Sequence, residues 1–575
     1  MPELLKHART LRGRIASILL DRACANPTKA QRSYLLRLLR RNAATAFGRA
    51  HGFSCIRSEA DFRSRVPVRE YEDFRPFVER IIASERNVLT AEEPFMLALT
   101  SGTTSEPKYI PVTRTLQHET ASLMAVWLYR AERDHRGLLN QSSVGIVSRA
   151  VEGHANGIPY GSTSGLIYKN IPAFVRRAYA VPYIVSEIDD YDARYFATAR
   201  FALARKVSFI ATPNPSTLLR LAEVVAENQE GLIRAVHDGT LGAEIKQREI
   251  RAQLSSMLRP DPLRARELER VIKTAGFLRA GDCWRDLLLI GCWTGGSASV
   301  KLARLEKFYG RVPLRDLGYL ASEGRITVPF EDRTASGIPA IRSGYYEFIA
   351  EEEMERADAR ALSICELEVG RRYSILLTTS GGLYRYKIND IVEVTGFHQG
   401  APLLAFVRKG GEMADITGEK MHVNHFIEAV REVARRFQLT IEQFRAAPDR
   451  EESRYEIYLE LEQQVPLSVL QSEVLPALDR ALAKVNVEYE QKRRSKRLSE
   501  PRINLMARGW SQREMRRHIQ TGRRDTQYKW QILCPEKRAE DEQEITSTVG
   551  TGLVPARSVS DTQGQGQALS LQISL

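Results

Sequence analysis

From residue 95 onward the chain alternates short apolar runs with longer helical patterns, and nothing else in it constrains the fold as strongly. Val144-Gly-Ile-Val147, Val207-Ser-Phe-Ile-Ala211, Leu287-Leu-Leu-Ile-Gly291 and Ser374-Ile-Leu-Leu-Thr378 have the length of strands, and helical segments such as Pro215–Asn228 and Ala243–Leu258 lie between such runs. Strands buried on both faces read as continuous apolar runs, and the intervening helices cover those faces, so the alternation predicts α/β layering. Before it, Leu4, Leu5, Ala8, Leu11, Ile15 and Leu19, then Leu35, Leu36, Leu38 and Leu39, have helical spacing with a break at Pro27. A chain of 575 residues is too long for one core and implies about three or four folding units.

Composition narrows the functional classes. No apolar stretch reaches the roughly eighteen residues of a membrane span, and Met1-Pro-Glu-Leu-Leu-Lys-His-Ala-Arg lacks the apolar segment of a signal peptide. Six scattered cysteines (Cys24, Cys55, Cys283, Cys292, Cys365, Cys534) form no C-x-x-C pair. They read as reduced cytoplasmic thiols rather than a disulfide frame or a zinc site. The net charge of +13 suits anionic small substrates or nucleic acid. The densest basic run, Gln491-Lys-Arg-Arg-Ser-Lys-Arg497, interleaves no aromatic residues for base stacking, and reads as a solvated helix end.

Chemistry is concentrated in four places. In Leu99-Thr-Ser-Gly-Thr-Thr-Ser-Glu-Pro-Lys108, small or hydroxyl-bearing residues from Thr100 to Thr104 precede a lysine. Open backbone N–H groups, hydroxyls and a cation are what a polyphosphate clasp requires. The spacing is not that of a P-loop, and a Ser/Thr-rich turn without chemistry has the same local look. In Gly318-Tyr-Leu-Ala-Ser-Glu-Gly324 an aromatic can stack a base and Glu323 can reach a magnesium ion, although Ser-Glu is also an ordinary helix cap. In Gly382-Leu-Tyr-Arg-Tyr-Lys-Ile-Asn-Asp390, an aspartate at a break in an alternating run suits a ribose diol, and a hairpin turn at Asn389-Asp390 suits it equally. Lys420 and Lys529 lie beyond a glycine-rich passage at 398–420 that reads as a hinge.

The order of these segments resembles the adenylate-forming superfamily of acyl-CoA synthetases, adenylation domains and luciferases. More narrowly, the chain is similar to the Gretchen Hagen (auxin-responsive) family of acyl-acid amido synthetases, which also has bacterial members. Thr45-Ala-Phe-Gly-Arg-Ala-His-Gly-Phe53, Asp61-Phe-Arg-Ser-Arg-Val-Pro-Val68, Tyr71-Glu-Asp73, the clasp, Trp293-Thr-Gly-Gly296, Ala321-Ser-Glu323, Leu383-Tyr-Arg-Tyr386 and Asp525-Thr-Gln-Tyr-Lys529 carry the likeness to about residue 535. It implies a firefly-luciferase-like α/β fold: a large N-terminal adenylation domain with a β-barrel element over 1–405, a hinge over 406–420, a small mobile C-terminal α/β domain over 421–537 and a disordered tail over 538–575. It further implies a phosphate loop of Thr100, Ser101, Gly102, Thr103 and Thr104 ending at Lys108, with Tyr319 beside adenine and Ser322 near the α-phosphate. Glu323 would bind Mg²⁺ and Asp390 the ribose. Lys420 would approach the nucleotide, and Lys529 would assist adenylation.

Two positions depart from the family pattern. Ser105 and Asn389 stand where relatives carry glycine, and asparagine tolerates left-handed backbone better than other side chains do. The implied reaction adenylates a carboxylic acid with ATP and passes the acyl group to an amine, with an amino acid the expected acceptor, in a cytoplasmic enzyme without a nucleic-acid or membrane partner. The Gly153–Gly165 segment and Val181-Pro-Tyr183 are the expected walls of the acyl pocket, and His154 reads as structural. The alternatives are an acyl-CoA or other thioester-forming ligase using the same intermediate, and a catalytically silent binding protein on the same scaffold.

Overall fold

The computed structural model describes residues 3–100, 108–356, 358–520 and 528–550. These form two compact units: one within Met1–Glu412 and Met515–Trp530, the other within Met413–Glu514 and from Gln531 onward.

The first unit starts with the helices Glu3–Cys24 and Pro27–Arg41. Asn26 separates them by capping the second, accepting a hydrogen bond from the Lys29 N–H at 3.0 Å, while Pro27 occupies the first turn, where no N–H is needed. The expected layering follows. Ser142–Gly145, Val207–Ala211, Leu289–Gly291 and Leu314–Arg315 form a parallel sheet in that order. Val144, Ile210 and Ile290 are wholly buried in one cluster with Leu203, Leu218 and Leu221 of the helices Tyr191–Leu203 and Pro215–Glu227. A second, mixed sheet joins Lys108–Val112, Met96–Thr100, Ile158–Gly161 and Gly153–Ala155. Tyr345–Ala350, Arg372–Thr378, Tyr386–His398 and Ala401–Lys409 make a four-stranded antiparallel sheet, with Gly337 bridging to Leu404.

The glycine-rich passage at 398–420 is not a linker throughout. Tyr386–His398 and Ala401–Lys409 pair across a two-residue turn at Gln399-Gly400, and Gly396 sits at a register shift between them. These glycines punctuate strands, and the division between the units falls at Glu412/Met413. The same division groups Met515–Trp530, Lys529 included, with the first unit rather than with the small domain expected over 421–537.

The second unit is α/β as expected. Its sheet runs Ile441–Asp449, Arg454–Leu461, Arg502–Met506, Ile545–Val549, and the helices Val423–Arg436 and Leu475–Val485 contribute the buried Phe426, Val430, Leu478 and Leu482. The expected disordered tail is corrected over its first part. Ala539–Glu542 is helical and Ile545–Val549 pairs antiparallel with Arg502–Met506. Asp541, 1% exposed, holds the fully buried Arg445 through both carboxylate oxygens at 2.6 and 2.7 Å, while Glu514 takes the other nitrogen at 2.8 and 2.9 Å. A buried guanidinium is tolerable only when paired in this way, so the polar segment is tied down by charge rather than by apolar burial. Residues 551–575 lie outside the described residues. The basic run at 491–497 ends the helix Val487–Arg494 and is largely exposed, as read.

Candidate active site

The strands flanking the clasp, Met96–Thr100 and Lys108–Val112, pair antiparallel with Thr100 opposite Lys108. Ser101, Gly102, Thr103, Thr104 and Ser105 lie outside the described residues. The base of this hairpin is held by Tyr71, whose hydroxyl donates to the Tyr109 carbonyl at 3.2 Å and accepts from the Tyr109 N–H at 2.7 Å. The Lys108 ammonium stands 5.4 Å from the Tyr71 ring centroid, within cation–π range.

Gly318–Gly324 folds as a tight hairpin. Leu320–Ala321 pairs with Gly324–Arg325, so Ser322 and Glu323 form its tip rather than a helix cap. Glu323 is 6% exposed. Burial pushes its carboxyl up, and the Asp390 charge adds to that; its own backbone N–H, Lys409 and Lys108 pull the other way. Burial pushes the Tyr386 phenol up, and the charges of Glu323 and Asp390 add to this.

Asp390 lies inside the long strand Tyr386–His398, not in a hairpin turn. The break that precedes it is Asn389, at φ +66°, which takes up the left-handed conformation that the Asn-for-Gly departure has to allow. Asp390 is 4% exposed. The Tyr319 hydroxyl donates to Oδ2, and the Lys409 ammonium to Oδ1 at 2.9 Å. Lys409 ends the neighbouring strand directly opposite Asp390. Burial opposes the Lys409 charge, but Asp390, Glu323 and Glu412 outweigh it and hold its pKa above the ordinary lysine value. Tyr319 is buried, its ring tilted on Phe406 with centroids 5.4 Å apart; burial and then Asp390 push its phenol far up.

Lys529 belongs to the same unit and completes the arrangement. Its ammonium lies 5.1 Å from the Trp293 ring centroid. Lys529 is exposed taken as a whole residue, yet the protein around its ammonium disfavours the charge. Desolvation and then Lys409 lower its pKa, against Asp390, Glu412 and Glu323. Glu412 accepts from the Lys409 backbone N–H at 3.3 Å, and burial raises its carboxyl against the pull of Lys409 and Lys529. Three lysines and three carboxylates thus act on one another within one unit.

Of the residues singled out from sequence, Lys108, Tyr319, Glu323, Asp390 and Lys529 converge here, with Ser322 beside Glu323 at the hairpin tip. Lys420 lies in the second unit, exposed, with its backbone at φ +42°. His154 is exposed on the strand Gly153–Ala155. Val181, Pro182 and Tyr183 line a small cavity with Gly145, Tyr168 and Arg194. Sequence reasoning missed Lys409, Glu412 and the pairing of Trp293 with Lys529, because strand register alone puts Lys409 opposite Asp390. It also left Tyr384 and Arg385 without roles. Tyr384 donates to the Leu89 carbonyl at 2.8 Å, and Arg385 pairs with buried Glu347 at 2.9 Å, so both brace the strand that carries Asp390. Among the described residues no three His, Cys, Asp or Glu side chains form a metal-holding cluster, and no helix is long and apolar enough to cross a membrane.

The chain matches the GH3 family N-terminal domain over residues 18–314, its central domain over 337–409 and its C-terminal domain over 424–538. The chain belongs to the GH3 family. Among its GH3 relatives, an indole-3-acetic acid-amido synthetase of Oryza sativa subsp. indica is 26% identical over 70% of this chain and 69% of the relative. A jasmonoyl–L-amino acid synthetase of Oryza sativa subsp. japonica is 25% identical over 84% and 88% of the two chains. The solved structure of GH3.15 acyl acid amido synthetase superposes with a TM-score of 0.81 at 21% identity, covering 94% of this chain and 97% of that one. That likeness establishes that this chain shares the fold of the GH3.15 structure.

Proposed function

We propose that this chain is an ATP-dependent acyl acid amido synthetase, and the observation that carries the reading is the convergence of Lys108, Tyr319, Glu323, Asp390 and Lys529 in one unit. In the first half-reaction a carboxylate oxygen of the acid attacks the α-phosphorus of ATP. The bond to the β-phosphate oxygen breaks, and acyl-AMP and pyrophosphate form. In the second, an amine nitrogen attacks the acyl carbonyl, loses a proton and expels AMP, leaving an amide; the likeness to a jasmonoyl–L-amino acid synthetase supports an amino acid as the amine.

Each residue has a task in this reading. Thr100, Ser101, Gly102, Thr103 and Thr104 wrap the phosphates, with the Lys108 cation at the strand end. Asp390 takes the ribose hydroxyls. A carboxylate has about four acceptor sites, and Tyr319 and Lys409 occupy two. Tyr319 lies beside the adenine and fixes Asp390 through its hydroxyl, and Ser322 faces the α-phosphate. Lys529 stabilises the negative charge that builds at the α-phosphorus. Magnesium fits Glu323, whose charge is opposed by burial and by Asp390, in a site where phosphates provide most of the ligands. When bound, it neutralises phosphate charge. Six unpaired cysteines support work in a reducing compartment, the cytoplasm.

The reading is tested by following pyrophosphate and product with ATP, Mg²⁺ and a panel of aryl, indolyl and aliphatic acids, with and without amino acids. An amide that forms only when amino acids are present supports it. Acyl transfer to CoA would make the chain a thioester-forming ligase, and ATP binding without turnover on any acid would make it a binding protein.

A further inference from the structure

We propose that Trp293 is a positioning residue for Lys529, its indole face holding the ammonium beside the carboxylates of the site while Asn214 fastens the backbone next to it. The inference rests on the adenylation role given to Lys529 above. Lysine has a long stem, and about 2 kcal/mol of rotamer entropy opposes fixing it. A carboxylate partner would fix it but would also engage its donors and offset its charge. An indole face 5.1 Å away attracts the cation while leaving all three N–H donors to reach phosphate and acyl oxygens. The help is needed here, because desolvation and Lys409 both disfavour the Lys529 charge.

The indole is itself locked. Its Nε1–H donates to the Gly318 carbonyl at 3.0 Å, on the backbone that leads into Tyr319. The backbone N–H of Trp293 donates to the Pro213 carbonyl at 2.8 Å. Asp316 clasps both sides of the loop, accepting from the Thr294 N–H and hydroxyl at 2.6 and 2.8 Å and from the Gly318 N–H at 2.7 Å. Asn214 divides its amide between two tasks. Oδ1 accepts from the Ser216 N–H at 3.0 Å, starting the helix Pro215–Glu227, and Nδ2 donates to the Tyr528 carbonyl at 2.9 Å. Trp293 and Asn214 therefore grip adjacent residues, one by side chain and one by backbone, from a platform continuous with Tyr319.

The test is a cycle of Trp293→Leu, Lys529→Ala and the double variant in the full-length enzyme, with Trp293→Phe as the conservative control. The readouts are the rate of pyrophosphate release, the KM for ATP, and amide formation from pre-made acyl-adenylate. Loss of the cation–π contact lowers the adenylation kcat of Trp293→Leu about five- to thirtyfold. The KM for ATP and the amide-forming step stay near wild type, and Trp293→Phe recovers most of the rate. In the Lys529→Ala background the same substitution costs nothing further. An equal cost in both backgrounds, or a phenylalanine variant as slow as the leucine one, overturns the positioning role and leaves the Lys529 reading standing. An unchanged adenylation rate in Lys529→Ala alone overturns both.

Discussion

Glu119 carries a stability cost that can be worked from its surroundings. It lies on the helix Arg114–Asp134, bonded by the Ser380 hydroxyl at 2.6 Å, and lines a small cavity with Leu116, Gly324, Tyr346 and Thr379. Burial pushes its carboxyl up to about 7; the Ser380 bond, Arg37 and Arg41 pull against this, and Glu92 reinforces it. Because the folded pKa is raised, the folded state retains a proton that the unfolded chain loses above 4.5. Stability is complete below that value and is lost as pH rises to about 7. At 1.36 kcal/mol for each pH unit the loss approaches about 3 kcal/mol above neutrality. Glu119→Gln keeps an acceptor for Ser380 and removes the titration. Urea unfolding of both proteins, followed by tryptophan emission at pH 5 and pH 8, measures the effect. The variant should match wild type within about 1 kcal/mol at the lower pH and exceed it by up to about 3 kcal/mol at the higher. A difference that is the same at both pH values, or a variant less stable at pH 8, refutes the reasoning.

Other outcomes follow from the same geometry. Lys529→Ala should slow pyrophosphate release by about a hundredfold or more while ATP affinity holds, because the lysine acts on charge present only in the transition state; equal losses in rate and affinity would sink that role. Since the Lys529 pKa lies below the ordinary 10.5, the adenylation rate should fall on the alkaline side at a midpoint below that value, and a limb at 10.5 or above contradicts the site's electrostatics. Asp390→Ala should weaken ATP binding first, by about ten- to a hundredfold, the worth of hydrogen bonds to a charged group; calorimetric titration that finds unchanged affinity removes the ribose assignment. Asp541→Asn withdraws charge from buried Arg445 and should destabilise the second unit by about 3 kcal/mol, whereas a disordered tail would make the substitution silent in denaturant melts.

Much of this fold was legible because its signals are local. Val207–Ala211 is a strand over the residues its apolar run marks, and Pro215–Glu227 ends one residue short of its expected helix. Asn389 could be expected in a left-handed conformation because the family resemblance puts a glycine there and asparagine tolerates that backbone better than other side chains do. What stayed hidden depends on pairing between distant segments. Nothing in Leu404-Ala-Phe-Val-Arg-Lys409 says that Lys409 faces Asp390; the register of two strands does. Gly400 has the composition of a linker and proves to sit in a hairpin turn. The stretch from Ala539 to Val549 lacks the apolar content of a core and is ordered by the Arg445–Asp541 pair and by edge pairing, which composition does not report.

The account's central claim is that this chain activates a carboxylic acid as an adenylate and delivers it to an amine. The most direct measurement is a single-turnover reaction with ATP labelled at the α-phosphate, Mg²⁺ and the accepted acid, with an amino acid added only after acyl-AMP has accumulated. Labelled acyl-AMP should appear before the addition and then convert to labelled AMP, with an equal amount of amide formed. Label released as ADP, or acyl-AMP that persists with amino acids and is consumed only by CoA, would contradict it.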